Sequence, residues 1–331
     1  MIIMKLRNIY IASLIAISAA CSKEAPEQYA PADVAPLHAI MPGYAELDSA
    51  SRAEIADSLK PELTAFFKAV AEGYTLSDTL IQAWSHSRQV NTFTPPADSV
   101  FPSIEPIRES LGYTLGAAGT RGLQLPARRY ATVVYGRNEA ILFVDSVMLI
   151  ALNHFLGPEY EGYSRWPVYR RLEKDPAKLP YYMAEALIAN EYPYTAEGED
   201  ATLLSHLLYQ GALTYAKMQV VKNADRALAL DYSDEDLAWI DANSAKLWSE
   251  LASSNLIYDT SETLAARFVM PSPSVRDLPT VYPGRIGRYV GLRLVEEYVR
   301  KHPEATLAEL LSPSFYTSPE FVQTNAAETF R

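Results

Sequence analysis

Cysteine is almost missing from these 331 residues: the only one is Cys21. No disulfide can form within the chain, and no pair of thiols is present for metal or redox work. Basic charge is also in short supply, with 29 Lys and Arg against 40 Asp and Glu and a formal net charge of −11. Binding to nucleic acid or to anionic lipid by charge is therefore disfavoured. There is no HExxH, no GxSxG elbow, no phosphate loop and no dinucleotide fingerprint. The five histidines, His38, His86, His154, His206 and His302, are scattered, with none at i, i+4 helical spacing. His154 and His206 sit among apolar neighbours and read as satisfied structural histidines. No cofactor and no metal site is implied. Internal repeats are lacking too, and the N-terminal apolar run, Ile9 to Ile17, is well short of the roughly 20 residues a membrane span requires.

What is present begins at that run. Lys5 and Arg7 precede it, and the small residues Ser18, Ala19 and Ala20 follow it directly before Cys21. Charged, apolar and small residues in this order make a secretory signal over residues 1–20. Cysteine at its end resembles the bacterial lipoprotein signal, with Ser18 where Leu is usual, and implies a lipid on the Cys21 thiol and a membrane partner through that anchor. Removal of the signal takes away Lys5 and Arg7, leaving 27 basic against 40 acidic residues, net −13. Residues 21–43, rich in Ala and Pro, read as a flexible tether, and residues 44–331 as a single domain, in a chain whose hydrophobic share is 49% overall. Ser22-Lys23-Glu24 faintly resembles a surface-export tag, so the expected location is the cell envelope, periplasm-facing unless that tag exports the protein.

The periodicity is mostly helical. Leu47, Ile55, Leu59, Leu63, Phe66, Phe67 and Val70 recur at helical spacing, interrupted at Pro61. The proline-rich stretch Asn91 to Pro106 reads as an irregular connection, followed by a helix over 107–118. Tyr130 to Tyr135 and Ala140 to Val144, separated by Gly136 to Glu139, predict a β-hairpin. Helical spacing is expected to return over Val147 to Phe155 and to continue through 177–190, 202–220, 234–251, 286–300 and 306–311. Thr306 with Glu309 forms a capping box, and Ser233 with Asp236 a weaker version. The fold class is mostly α (α+β), with one small hairpin or sheet before the central helices.

From Val133-Val134-Tyr135 through Leu149 to Gly157, the aromatic loop of Tyr160, Tyr163, Trp166 and Tyr169, then Thr202-Leu203-Leu204, Gly211 to Tyr215, Trp239, Leu247-Trp248 and Pro283-Gly284-Arg285-Ile286-Gly287, the chain resembles the gliding motility lipoprotein GldB family over about residues 45–328. The resemblance implies an envelope component with other envelope proteins as partners. Families of this kind are similar to gluzincin-type zinc peptidases. On that alignment Ala184 and Ile188 stand where the two histidines would be, Glu185 between them, and Gln210 where the third ligand, a glutamate, would be. Such a set could not hold zinc, which needs three protein ligands and a water to act as a hydrolase. It implies a zincin-like scaffold kept for binding, a pseudo-enzyme. The plain alternative makes Glu185 one acid on a solvated helix face.

Arg285 and Arg288 with their glycines could hold an anion at a helix start, or let the helix pack closely while pairing with internal acids. Tyr163 and Trp166 are either core lining or a recognition patch. The expected function is non-catalytic partner binding. The competing expectations are an envelope hydrolase with a divergent site, for instance Glu185 with Glu191 or Asp200, and a carrier of an apolar or glycan ligand.

Overall fold

The computed structural model describes residues 27–71, 73, 75–318 and 329–330. The expected signal and the lipidation site Cys21 lie outside the described residues. The architecture is mostly helical with a small mixed sheet, as the composition of segments predicts. Strands β1 (Val34–Ala35), β2 (Arg129–Val133), β3 (Ile141–Val144) and β4 (Val147–Ala151) stand in the order β1-β2-β4-β3.

The hairpin falls one strand later than predicted. Strand β2 runs parallel to β4, pairing Arg129 with Val147 and Val133 with Ala151. Strand β3 turns back on β4, antiparallel, through Asp145-Ser146, with Asp145 at φ 52°. Val147 to Ala151 is thus strand rather than helix. All five of its residues are buried, and a run buried on both faces shows neither the alternation of a half-exposed strand nor a helical stripe. Its side chains still alternate between two cores. Met148 and Ile150 face Leu111, Met183 and Leu187, whereas Val147, Leu149 and Ala151 face Leu63, Phe66, Phe67 and Val90. Each fully buried aliphatic side chain contributes roughly 1.5–3 kcal/mol.

Two further expectations are corrected. The tether read over residues 21–43 is folded wherever it is described. Val34, Leu37 and Met41 are buried, β1 pairs with β2, and Leu37–Ile40 is a short helix, because apolar residues are interspersed among the Ala and Pro. The connection read from Asn91 onward is largely helix, Arg88–Val100, with Pro95 and Pro96 inside it. Ser87 caps this helix by accepting from the Val90 amide, and Val90, Thr94 and Ala97 give it a buried face. The single helix expected over 234–251 is interrupted at Asn243, between Asp234–Ala242 and Ser244–Ser253.

Beyond the sheet lies a larger helical core centred on Leu203–Val220 and Ile286–Lys301, the most extensively packed pair of helices. They cross with their backbones in contact. A Cβ added to Gly291 would lie 1.8 Å from the Leu207 carbonyl oxygen, and one added to Gly211 would lie 2.1 Å from the Gly291 carbonyl carbon. Glycine is demanded here by space, which offsets its usual cost inside a helix. A second, two-stranded sheet, β5 (Ser274–Val275) with β6 (Tyr282–Pro283), leads into the Ile286–Lys301 helix.

Candidate functional site

The Ile286–Lys301 helix begins with Arg285 in the left-handed region, φ 61°. Arg285 and Arg288, three residues apart, lie on one side of that first turn, and both are 8% exposed. Arg285 donates from Nη1 to Asp231 and from Nη2 to Glu173 Oε1, the latter at 2.6 Å. Arg288 grips Glu185 with both Nη atoms, at 3.2 and 2.9 Å. Lys217 Nζ donates to Glu185 Oε2 at 2.5 Å, and Lys178 Nζ stands 3.5 Å from Asp231 Oδ1.

With Arg288 Nη1 3.8 Å from Asp231 Oδ2, these seven groups form a continuous network of four cations and three carboxylates, drawn from six separate elements of the chain and their caps. Burial opposes the charge on Glu185, but the Arg288 guanidinium and Lys217 ammonium outweigh it and hold its carboxyl well below the usual range. Asp231 is likewise lowered, with burial overcome first by Arg285 and then by Lys178. Beside the network, burial and the Lys174 ammonium lower His154 from 6.5 to about 4. His154 Nε2 lies 3.0 Å from the Arg137 carbonyl oxygen and Nδ1 lies 3.3 Å from Lys174 Nζ. At neutral pH it is an uncharged structural group.

Above the network opens a cleft of about 850 Å³. Arg285, Asp231 and Glu173 line it together with Tyr169, Tyr232, Tyr282, Trp239 and the prolines 167, 271, 273 and 283. Around it the surface is unusually apolar. Val168 is 60% exposed, Leu172 44%, Trp239 42% and Val281 52%; all four line the cleft, and Met270 adjoins the lining residue Pro271.

The sequence-singled residues fall into three groups. Arg285 and Arg288 answer to both readings at once, because they hold anions, and those anions are the protein's own carboxylates. Ala184 and Ile188 are fully buried in the helical core. Glu185, between them, belongs to the ion network, so neither a solvated face nor an open acid pair describes it. Glu191 instead stands 3.6 Å from Arg128, and Asp200 is exposed in a short turn. Gln210 has its Oε1 buried without a hydrogen-bond partner. Tyr163 belongs to the core, its hydroxyl donating to the Asn153 carbonyl at 2.5 Å, and Trp166 packs 5.6 Å from its ring with Lys174 Nζ 5.0 Å above the indole. Sequence reading missed Glu173, Lys178, Lys217 and Asp231. Of these only Lys217 left a local signal, a lysine within the apolar run of Leu203–Val220. Among the described residues no three His, Cys, Asp or Glu side chains are grouped to share a metal ion.

The described residues thus form a mostly helical α+β protein in which four cations and three carboxylates pair beneath a cleft rimmed by apolar side chains. The chain belongs to the family described as gliding motility protein GldB, whose pattern matches residues 40–317. No curated protein and no solved structure matches it, so the peptidase likeness rests on the residues quoted for it. No described helix is long and apolar enough to cross a membrane.

Proposed function

We propose that this protein is a lipid-anchored, non-catalytic component of the envelope apparatus its family serves, binding other envelope proteins through the cleft. The observation that carries the reading is the ring of Val168, Leu172, Trp239 and Val281, four large apolar side chains left exposed around one concavity. Grouped apolar exposure of this kind marks interaction surfaces, and aromatic side chains supply much of the energy there. The partner segment that fits is apolar. The charges under the cleft are already paired with one another and serve as a rigid floor.

The remaining parts of the reading are the lipid on Cys21, supported by the residues before it, and a periplasm-facing position. On the peptidase alignment Ala184, Ile188 and Gln210 stand at the zinc-ligand positions, and Glu185 is engaged by Arg288 and Lys217 rather than open to a substrate; both support reading the scaffold as a pseudo-peptidase.

Replacing Val168 and Val281 together by Asp in the full lipidated chain tests the cleft. Both side chains are more than half exposed, so the thermal midpoint is expected to stay within a few degrees, while the double variant fails to restore function to cells lacking the gene. Full restoration overturns the cleft as the partner surface. Stoichiometric metal in the purified folded protein, measured by elemental analysis, would overturn the non-catalytic reading.

A further inference from the structure

Residues 27–32 form a strap fastened along the Glu105–Thr120 helix. Glu27 Oε2 accepts from Arg121 Nη1 at 2.9 Å, and the Tyr29 and Thr120 hydroxyls are 3.0 Å apart. The Tyr29 ring meets Tyr113 edge-on at 5.4 Å. The Ala32 amide donates to the Arg108 carbonyl at 2.9 Å, and Arg108 Nε returns a bond to the Ala32 carbonyl at 3.0 Å. The helix is cut away beneath the strap. A Cβ on Gly112 would lie 2.1 Å from the Ala30 oxygen, and one on Gly116 2.1 Å from the Tyr29 ring.

From this geometry we infer that the membrane holds the protein on a short leash and faces one particular surface of it. The inference rests on the reading that Cys21 carries the lipid. Cys21 and Glu27 are six residues apart, and six residues reach at most about 20 Å whatever their conformation. Residues 21–43 as a free tether would have allowed more than about 70 Å. The surface that bears Glu27, Tyr113, Arg121 and, across a shared cleft of about 620 Å³, Lys222 and Asp225 is therefore kept within about 20 Å of the lipid headgroups and turned toward them. Its charges are mixed, with Glu27 paired to Arg121, so the lipid chain and the strap hold it there and an anionic surface is not required.

Energy transfer on phosphatidylcholine vesicles tests this. Lys222→Cys supplies an exposed labelling site in the lipidated full chain, where the only native cysteine is the acylated one. A donor dye at position 222 is read against an acceptor dye on the headgroups. The native leash is expected to give at least about twofold more transfer than a chain carrying about 12 Gly and Ser residues inserted after Ser22, an insertion that leaves the strap intact. Gly112→Val, which drives a side chain into the strap, should lower transfer likewise by freeing the chain as far as Val34. Equal transfer from the native and lengthened leashes overturns the inference. Failure of the lipidated protein to stay on vesicles, with Cys21→Ala behaving identically, overturns the anchoring itself.

Discussion

Around the sheet the interior is mainly apolar. Leu149, Ile150, Phe66 and Phe67 are at most 1% exposed, and among the few buried polar groups His38 and Thr132 share a 2.8 Å hydrogen bond. Among the helices, a slightly less buried layer holds Lys217, Arg285, Arg288, Lys178 and Glu173, together with the buried side chain of Asp231. The difference teaches what each half depends on. Apolar packing around the sheet is built from many small increments, so one change costs only its own share. The helical half has staked its order on a network whose members are costly unless all are present. Desolvating charges consumes most of what their attraction returns, but removing one partner leaves the others buried and uncompensated.

Arg285→Ala should expose this difference most strongly. It takes from Asp231 and Glu173 their shortest ion pair, leaving Lys178 and Arg288 near the first and Arg170 near the second, and is expected to cost about 3–5 kcal/mol in denaturant unfolding. Replacing Glu185, Lys217 and Arg288 together by Leu, Leu and Met is expected to be less damaging than Glu185→Leu alone. A triple variant weaker than that single one would show that the ion pairs stabilise on their own account. On the sheet side, Leu149→Ala should cost about 3 kcal/mol, within the usual range for a fully buried leucine. A loss below about 1 kcal/mol would mean that the two cores share the strain.

The smallest expected effect is with pH. Glu185 and Asp231 are lowered from 4.5 and 3.8 in the fold, so their stabilisation is present above those unfolded values and is lost as pH falls through the folded ones. His154, neutral in the fold down to about 4 but protonating at 6.5 when unfolded, also favours the unfolded chain as pH falls between those values. Stability should decline from pH 7 to pH 4 by on the order of 2 kcal/mol through His154. His154→Gln should flatten that part of the curve, and an unchanged slope would assign it elsewhere.

The same contrast explains what could be read in advance. Helices Leu203–Val220 and Ile286–Lys301 were legible because their apolar spacing is local, and the Thr306 and Glu309 capping box forms as written. Strand β4 was misread because burial on both faces erases the period that distinguishes strand from helix. The strap was hidden because Gly112 and Gly116 signal a close approach without saying what approaches. Arg285, Arg288 and Glu185 drew attention individually. Their partners Glu173, Lys217 and Asp231 did not, because an ion network assembled from distant segments has no spacing of its own in sequence.

Strand β1 sets a timing problem for the growing chain. Val34 pairs with Tyr130, which is made 96 residues later, so at ordinary synthesis rates the first edge of the sheet waits about 5–20 s for its neighbour. Contacts this far apart slow folding and leave a strand open to the wrong partner in the meantime. With only two residues, Val34 and Ala35, in the ladder, the waiting edge offers little for another chain to grip.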